Sequence, residues 1–85
     1  MSACEIVERP SFKRSLRRLS TEYRQRVRKA LADLSKNPRL GEGLRGRYEG
    51  LRKWRVGDYR VIYDYVPCKI VLILVEHRET VYRRR

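Results

Sequence analysis

The sequence predicts an α+β fold: an N-terminal strand, a two-helix antiparallel hairpin, then three antiparallel strands, in the order β-α-α-β-β-β. Three observations predict it. Apolar residues recur at helical spacing between Phe12 and Leu34. The period changes to two beyond Leu51. Turn residues mark the changes, at Asn37-Pro38, Gly57-Asp58 and Pro67-Cys68. Four strands make a mostly antiparallel sheet, and the helices bury one of its faces. The other face is expected to stay open and to carry the function. The chain of 85 residues is long enough for one modest core, so residues 1–85 are read as a single domain without an internal repeat.

Residues Cys4 to Glu8 alternate weakly around Ile6 and form the first strand. Pro10 stops it, and Ser11 is expected to cap the helix that follows. Phe12, Leu16 and Leu19 make the apolar stripe of that helix, with Lys13, Arg14, Arg17 and Arg18 on the other side. Ser20 or Thr21 caps a second helix, whose stripe is Tyr23, Val27, Ala30, Leu31 and Leu34. Asn37-Pro38 ends it, because a residue before proline avoids helical angles. Four glycines between Arg39 and Gly50 predict a loop or an irregular edge strand. Leu51–Val56 and Tyr59–Val66 then form a hairpin about Gly57-Asp58. Lys69 to Glu76 is apolar on both faces, which places it inside the sheet. The tail from Glu76 to Arg85 is polar and cationic and carries one tyrosine, Tyr82.

The charge narrows the partners. Seventeen arginines and five lysines stand against ten carboxylates, for a formal net charge of +12. So large an excess costs stability by self-repulsion, and a polyanion relieves it. Arginine suits phosphate because its planar fork donates two hydrogen bonds at once. Nucleic acid or a nucleoprotein is therefore the expected partner. A membrane is not: the longest apolar run, Ile70 to Val75, has the length of a buried strand. Cys4 and Cys68 form no Cys-x-x-Cys pair, and His77 is the single histidine, so neither a metal site nor a cofactor is expected. Free thiols suit a reducing cytosol, and no signal peptide is apparent, so a cytoplasmic location is expected.

The candidate site follows from strand alternation. Lys53 and Arg55 point to one face of their strand, and Trp54 and Val56 to the other. Arg60 sits in the middle of the next strand, between Tyr59 and Val61. A cation there is costly unless it meets solvent, a ligand or a carboxylate, and Asp64 and Glu76 are the carboxylates at hand. Either a salt bridge or a phosphate clamp of Lys53, Arg55 and Arg60 accounts for it. His77, Arg78 and Tyr82 follow the central strand and are placed to close the same face.

The string Arg55-Val-Gly-Asp-Tyr-Arg60-Val-Ile-Tyr63, with His77-Arg78 and Val81-Tyr82 after the last strand, resembles the RelE/ParE superfamily of toxins. The helical hairpin ending at Asn37-Pro38 and the Leu44-Arg45-Gly46 stretch resemble it too, so the likeness covers nearly the whole chain. A RelE-like toxin is a messenger RNA interferase. The resemblance implies a ribosome-dependent endoribonuclease that cleaves messenger RNA in the ribosomal A site and inhibits translation. The implied partners are ribosomal RNA and a cognate RelB-like antitoxin. It also implies that Arg60 contacts the scissile phosphate and that Tyr82 lies near the attacking hydroxyl. Arg78, Lys53 and Arg55 take the remaining basic positions, with Arg83 added as an RNA contact. The tail is shorter than in RelE, with three residues between Arg78 and Tyr82.

Such cleavage needs three things. The 2′-hydroxyl attacks phosphorus, a 2′,3′-cyclic phosphate forms and the 5′-oxygen leaves. Cations must stabilise the phosphorane, a task for Arg60, Arg55 and Lys53. A base and an acid must move protons. Arginine is poor at both. Tyr82 and Lys53 are candidates among cations, and His77 is the residue type best suited near neutral pH. Two other readings stay open: a ParE-like gyrase inhibitor without catalysis, and an inactive basic RNA-binding relative.

Overall fold

The computed structural model describes residues 5–37, 41–44, 50–67 and 69–77. Its elements run β1 (Glu5–Glu8), α1 (Pro10–Arg17), α2 (Thr21–Lys36), β2 (Glu42–Gly43), β3 (Arg52–Val56), β4 (Tyr59–Val66) and β5 (Lys69–His77). The strands form one five-stranded sheet in the order β1-β5-β4-β3-β2. The expected α+β architecture is present, with one strand more than the four expected. The addition is β2, two residues from the glycine-rich stretch, which pairs antiparallel with β3. The β1–β5 pairing is parallel, and the other pairings are antiparallel.

The helices form for the reasons their stripes give. Phe12, Leu16 and Leu19 join Val27, Leu31 and Leu34 in one core cluster with Val56, Val61, Tyr63, Ile70, Leu72 and Val75 from the sheet. Ser20 caps α2, its hydroxyl accepting the Tyr23 N–H at 3.2 Å. The start of α1 differs from expectation. Arg9 is its N-cap, with no side-chain hydrogen bond, and Pro10 occupies the first turn, where its missing N–H costs nothing.

Ser11 is engaged elsewhere. β1 covers β5 only as far as Leu72, and among the described residues no strand pairs with the backbone edge beyond it. α1 lies along that edge and supplies side chains in place of a ladder. The Arg9 N–H donates to the Leu72 carbonyl at 3.1 Å. The Ser11 hydroxyl donates to the Ile73 carbonyl. The Val75 N–H donates to Ser15 Oγ at 2.9 Å. Backbone groups that would otherwise be orphaned are thereby satisfied.

Between Ile62 and Tyr63 the β4–β5 register shifts. Ile62 opposes Leu74 and Tyr63 opposes Leu72, so Ile73 is the extra residue of a bulge. The Gly57-Asp58 turn joins β3 to β4 as expected, with Gly57 at φ 60°. A Cβ on Gly57 would stand 2.9 Å from the Tyr23 hydroxyl, so the turn needs glycine for both angle and space.

Candidate functional site

The register of β3, β4 and β5 sets the two faces. Trp54, Val56, Tyr59, Val61 and Tyr63 belong to the helix-covered side or pack against its core. Lys53, Arg55, Arg60 and Ile62 alternate with them and take the opposite side. This is the division that strand periodicity predicts. The centre of that opposite face is closed to solvent, since Ile62 is fully buried and Arg60 only 7% exposed. Arg60 is the single buried charged residue among those described.

Arg60 has a specific setting. Arg55 lies directly opposite it on β3. Glu76 lies directly opposite on β5, with its Oε2 atom shut off from solvent. A cation and a carboxylate thus hold the two backbone positions directly opposite Arg60 on the neighbouring strands. Of the two carboxylates available by sequence, the register selects Glu76.

A cavity of about 630 Å³ opens beside Arg55 and Arg60, lined among others by Glu42, Lys53 and Asp58, while Glu76 lines a separate cavity together with His77. Three predicted contacts therefore meet in one place. Glu42 is the residue that sequence reasoning missed. Its Oε2 stands 3.9 Å from Lys53 Nζ, and the two residues are cross-strand partners. β2 is held there through Gly41. The Gly41 N–H donates to the buried Tyr63 hydroxyl at 3.1 Å, and its carbonyl accepts from Arg52 at 2.8 Å. Burial pushes the Tyr63 phenol above its ordinary pKa of 10.0, opposed by the Gly41 hydrogen bond and by the Arg52 charge. Nothing local in the Gly-Glu-Gly string advertises this arrangement, because the partners lie on β3 and β4.

His77 is not brought to this cavity. It pairs with Tyr59, and their rings meet edge to face with centroids 5.3 Å apart. Tyr59 in turn meets Tyr23 of α2 at 4.7 Å, and the Arg26 guanidinium lies 4.8 Å from the centre of the Tyr23 ring. This stack fixes His77 on the helix side of the sheet. There it lines a second cavity, of about 450 Å³, with Arg14, Arg18 and Ser15 of α1 and its C-terminal flank. Arg78, Tyr82 and Arg83 lie outside the described residues.

Among the described residues no group of three or more His, Cys, Asp or Glu is placed to hold a metal ion. No helix among them is long and apolar enough to cross a membrane.

Comparison with known proteins agrees with the fold. A chain of the RelBE2 toxin–antitoxin complex from Mycobacterium tuberculosis superposes with a TM-score of 0.83 at 29% identity, over 92% of this chain and 94% of that one. The isolated RelE toxin of E. coli gives 0.75 at 22% identity, over 95% and 98%. YafQ from E. coli gives 0.72 at 16% identity, over 93% and 98%. A search of curated protein sequences returned no significant match. The helical hairpin against a mixed sheet is thus the fold of the RelE-like toxins. Residues 6–82 match the family model described as the ParE toxin of the type II toxin–antitoxin system parDE. The chain belongs to this family and is a type II toxin of the RelE/ParE superfamily.

Proposed function

We propose that the toxin acts as a ribosome-dependent endoribonuclease that cleaves messenger RNA in the ribosomal A site and so inhibits translation in the cytoplasm. One observation carries the reading: Lys53, Arg55 and the buried Arg60 converge on a single cavity on the sheet face. A desolvated arginine beside a second cation suits an extra negative charge on phosphorus. Glu42 adds a proton acceptor at the same rim, which the arginines cannot be.

In this mechanism the 2′-oxygen attacks phosphorus and gives up its proton to Glu42. The bond to the 5′-oxygen breaks, and that oxygen takes a proton from Lys53 or, from the tail, Tyr82. A 2′,3′-cyclic phosphate and a 5′-hydroxyl result. Arg55 and Arg60 hold the non-bridging oxygens, and Arg78 and Arg83 extend the RNA contact. His77, facing the helices, acts as a support for the end of β5. No metal or cofactor enters. Alignment of the messenger by the ribosome supplies the in-line geometry. A RelB-like antitoxin is the proposed silencing partner, supported by the RelBE2 complex among the similar structures.

Primer extension on translated messenger after induction tests the reading. New 5′ ends are expected within codons, and they disappear with Arg60→Gln. Growth arrest without new ends overturns it. The family match supports a second reading, a ParE-like inhibitor of DNA gyrase without nuclease activity. Inhibition of purified gyrase supercoiling, with messenger intact, would favour that one.

A further inference from the structure

The chain has two cysteines, Cys4 and Cys68, and the β1–β5 register bears on both. They lie outside the described residues, but their immediate neighbours lie within them. The first described pair of the parallel ladder is Glu5 with Lys69, followed by Ile6 with Ile70, Val7 with Val71 and Glu8 with Leu72. Cys4 directly precedes Glu5, and Cys68 directly precedes Lys69. One step back along each strand therefore arrives at a thiol. Sequence spacing does not show the coincidence, because the two cysteines stand far apart in the chain and belong to no close-spaced motif.

Covalent geometry leaves little freedom on either side. Consecutive Cα atoms are about 3.8 Å apart. Val66 pairs with Lys69, so Pro67 and Cys68 alone join β4 to β5. The parity of the strands agrees as well. Ile6 and Ile70 are direct partners, and both belong to or pack against the helix-covered core. Side chains repeat their direction every second residue along a strand. Cys4 and Cys68 each stand two residues before one of these isoleucines, in phase with it. Adjacent strands lie about 4.8 Å apart, inside the Cα separation of about 4.4–6.8 Å that a disulfide spans.

We propose that the β1–β5 ladder continues by one residue and that Cys4 and Cys68 form a reversible disulfide across it, a redox-sensitive strap on the edge strand. β1 has four residues, lies at the edge of the sheet and pairs with β5 alone. Its Glu8 end is tied down by the ion pair with Arg28 at 2.7 Å and by the Arg9 N–H on the Leu72 carbonyl at 3.1 Å. At the other end Glu5 is exposed and has no ion pair among the described residues. The strap would secure that end. The oxidant is a low-molecular-weight disulfide such as oxidised glutathione. One cysteine thiolate attacks it, forms a mixed disulfide and releases one small thiol. The second cysteine attacks the mixed disulfide and releases the other. In all, the two protein thiols give up two protons and two electrons, and the small disulfide becomes two thiols. A reducing cytosol reverses the exchange, so the strap closes only under oxidation. It sits at the Lys69 end of β5, and Glu76 and His77 are at the opposite end.

The test equilibrates the whole protein in graded mixtures of oxidised and reduced glutathione, blocks the remaining thiols with a maleimide and counts them by intact mass. The parent is expected to lose both thiols together within one chain, and peptide mapping is expected to find Cys4 joined to Cys68. Cross-linking restricts the unfolded chain, so oxidation should lower the unfolding equilibrium constant in urea at least about tenfold. Cys4→Ser and Cys68→Ser should each abolish that difference. Cys68→Ser/Lys69→Cys moves one thiol a residue out of register and to the other parity, and should close at least about tenfold less readily. Independent capture of the two thiols by glutathione, cross-links only between chains, or closure of the shifted variant as readily as the parent would overturn the proposal. The thiol count of the parent needs no substitution, so a variant that fails to fold leaves the test decisive.

Discussion

The row Arg55–Arg60–Glu76 makes one prediction that separates stability from function. Arg60 is flanked across the strands by a cation and a carboxylate. Directly opposed Cβ atoms stand about 5 Å apart. An opposite-charge cross-strand pair contributes roughly 0.2–1 kcal/mol. Glu76 is half-buried and Arg60 is buried, which puts the attraction at about 1 kcal/mol. Arg55 is exposed, and solvent reduces its repulsion of Arg60 to about 0.5 kcal/mol. Glu76→Gln is therefore expected to destabilise the fold by about 1 kcal/mol while tightening the hold on phosphate, since the row gains net positive charge. Arg55→Gln is expected to do the reverse, stabilising the fold by about 0.5 kcal/mol and weakening RNA binding. Urea denaturation gives the first quantity and fluorescence titration with a non-cleavable 2′-deoxy oligonucleotide the second. If both variants move stability and affinity in the same direction, the row is a structural salt bridge and the clamp is elsewhere.

Three other outcomes are expected. Glu42→Gln should lower single-turnover cleavage at least a hundredfold, with oligonucleotide affinity unchanged or improved; a change of less than about tenfold removes Glu42 as the base. Ser15→Ala leaves the Val75 N–H without its partner on the edge of β5, which costs about 1–3 kcal/mol in urea denaturation and speeds hydrogen exchange at Val75. Tyr63→Phe leaves the Gly41 N–H unsatisfied, again at about 1–3 kcal/mol. The same substitution changes the alkaline limb. The native Tyr63 pKa is raised by burial, so the native state keeps its proton where the unfolded chain has lost it. That contribution is fully present below pH 10.0 and falls as pH rises through the native value. The stability difference between parent and Tyr63→Phe should therefore shrink above pH 10.0, and a difference independent of pH would remove burial as the cause.

What was legible in the sequence was what depends on neighbours along the chain. The stripes of α1 and α2, the Ser20 cap, the two-residue turn at Gly57-Asp58 and the division of β3 into Lys53/Arg55 and Trp54/Val56 all repeat a local period. What was not legible depends on distant partners. β2 has only two residues and no alternation of its own; its position comes from Tyr63 and Arg52 gripping both backbone groups of Gly41. Ser11 reads as a cap because it follows Pro10, yet the open edge of β5 takes its hydroxyl. Glu42 reaches the site only through that docking of β2, so no motif containing it could announce it.

The fate of His77 shows how one backbone irregularity divides the candidate site. β5 is apolar on both faces, so polarity cannot fix which residues point inward. Strict alternation from Ile70 and Leu72, both in the core, would put Leu74 and Glu76 inward, Val75 opposite Arg60 and His77 on the outer face opposite Asp58. The extra residue at Ile73 reverses the parity. Val75 joins the core, Glu76 turns to oppose Arg60, and His77 swings to the helices against Tyr59. The bulge is held from outside the sheet by Ser11 on the Ile73 carbonyl and Ser15 on the Val75 N–H. The serines of α1, far from Arg60 in sequence, thus determine that Glu76 rather than Val75 lies opposite Arg60 and that His77 faces the helices. The proposed mechanism accordingly assigns proton transfer in the sheet-face cavity to Glu42 and to Lys53 or Tyr82, not to the histidine that reference chemistry alone would choose.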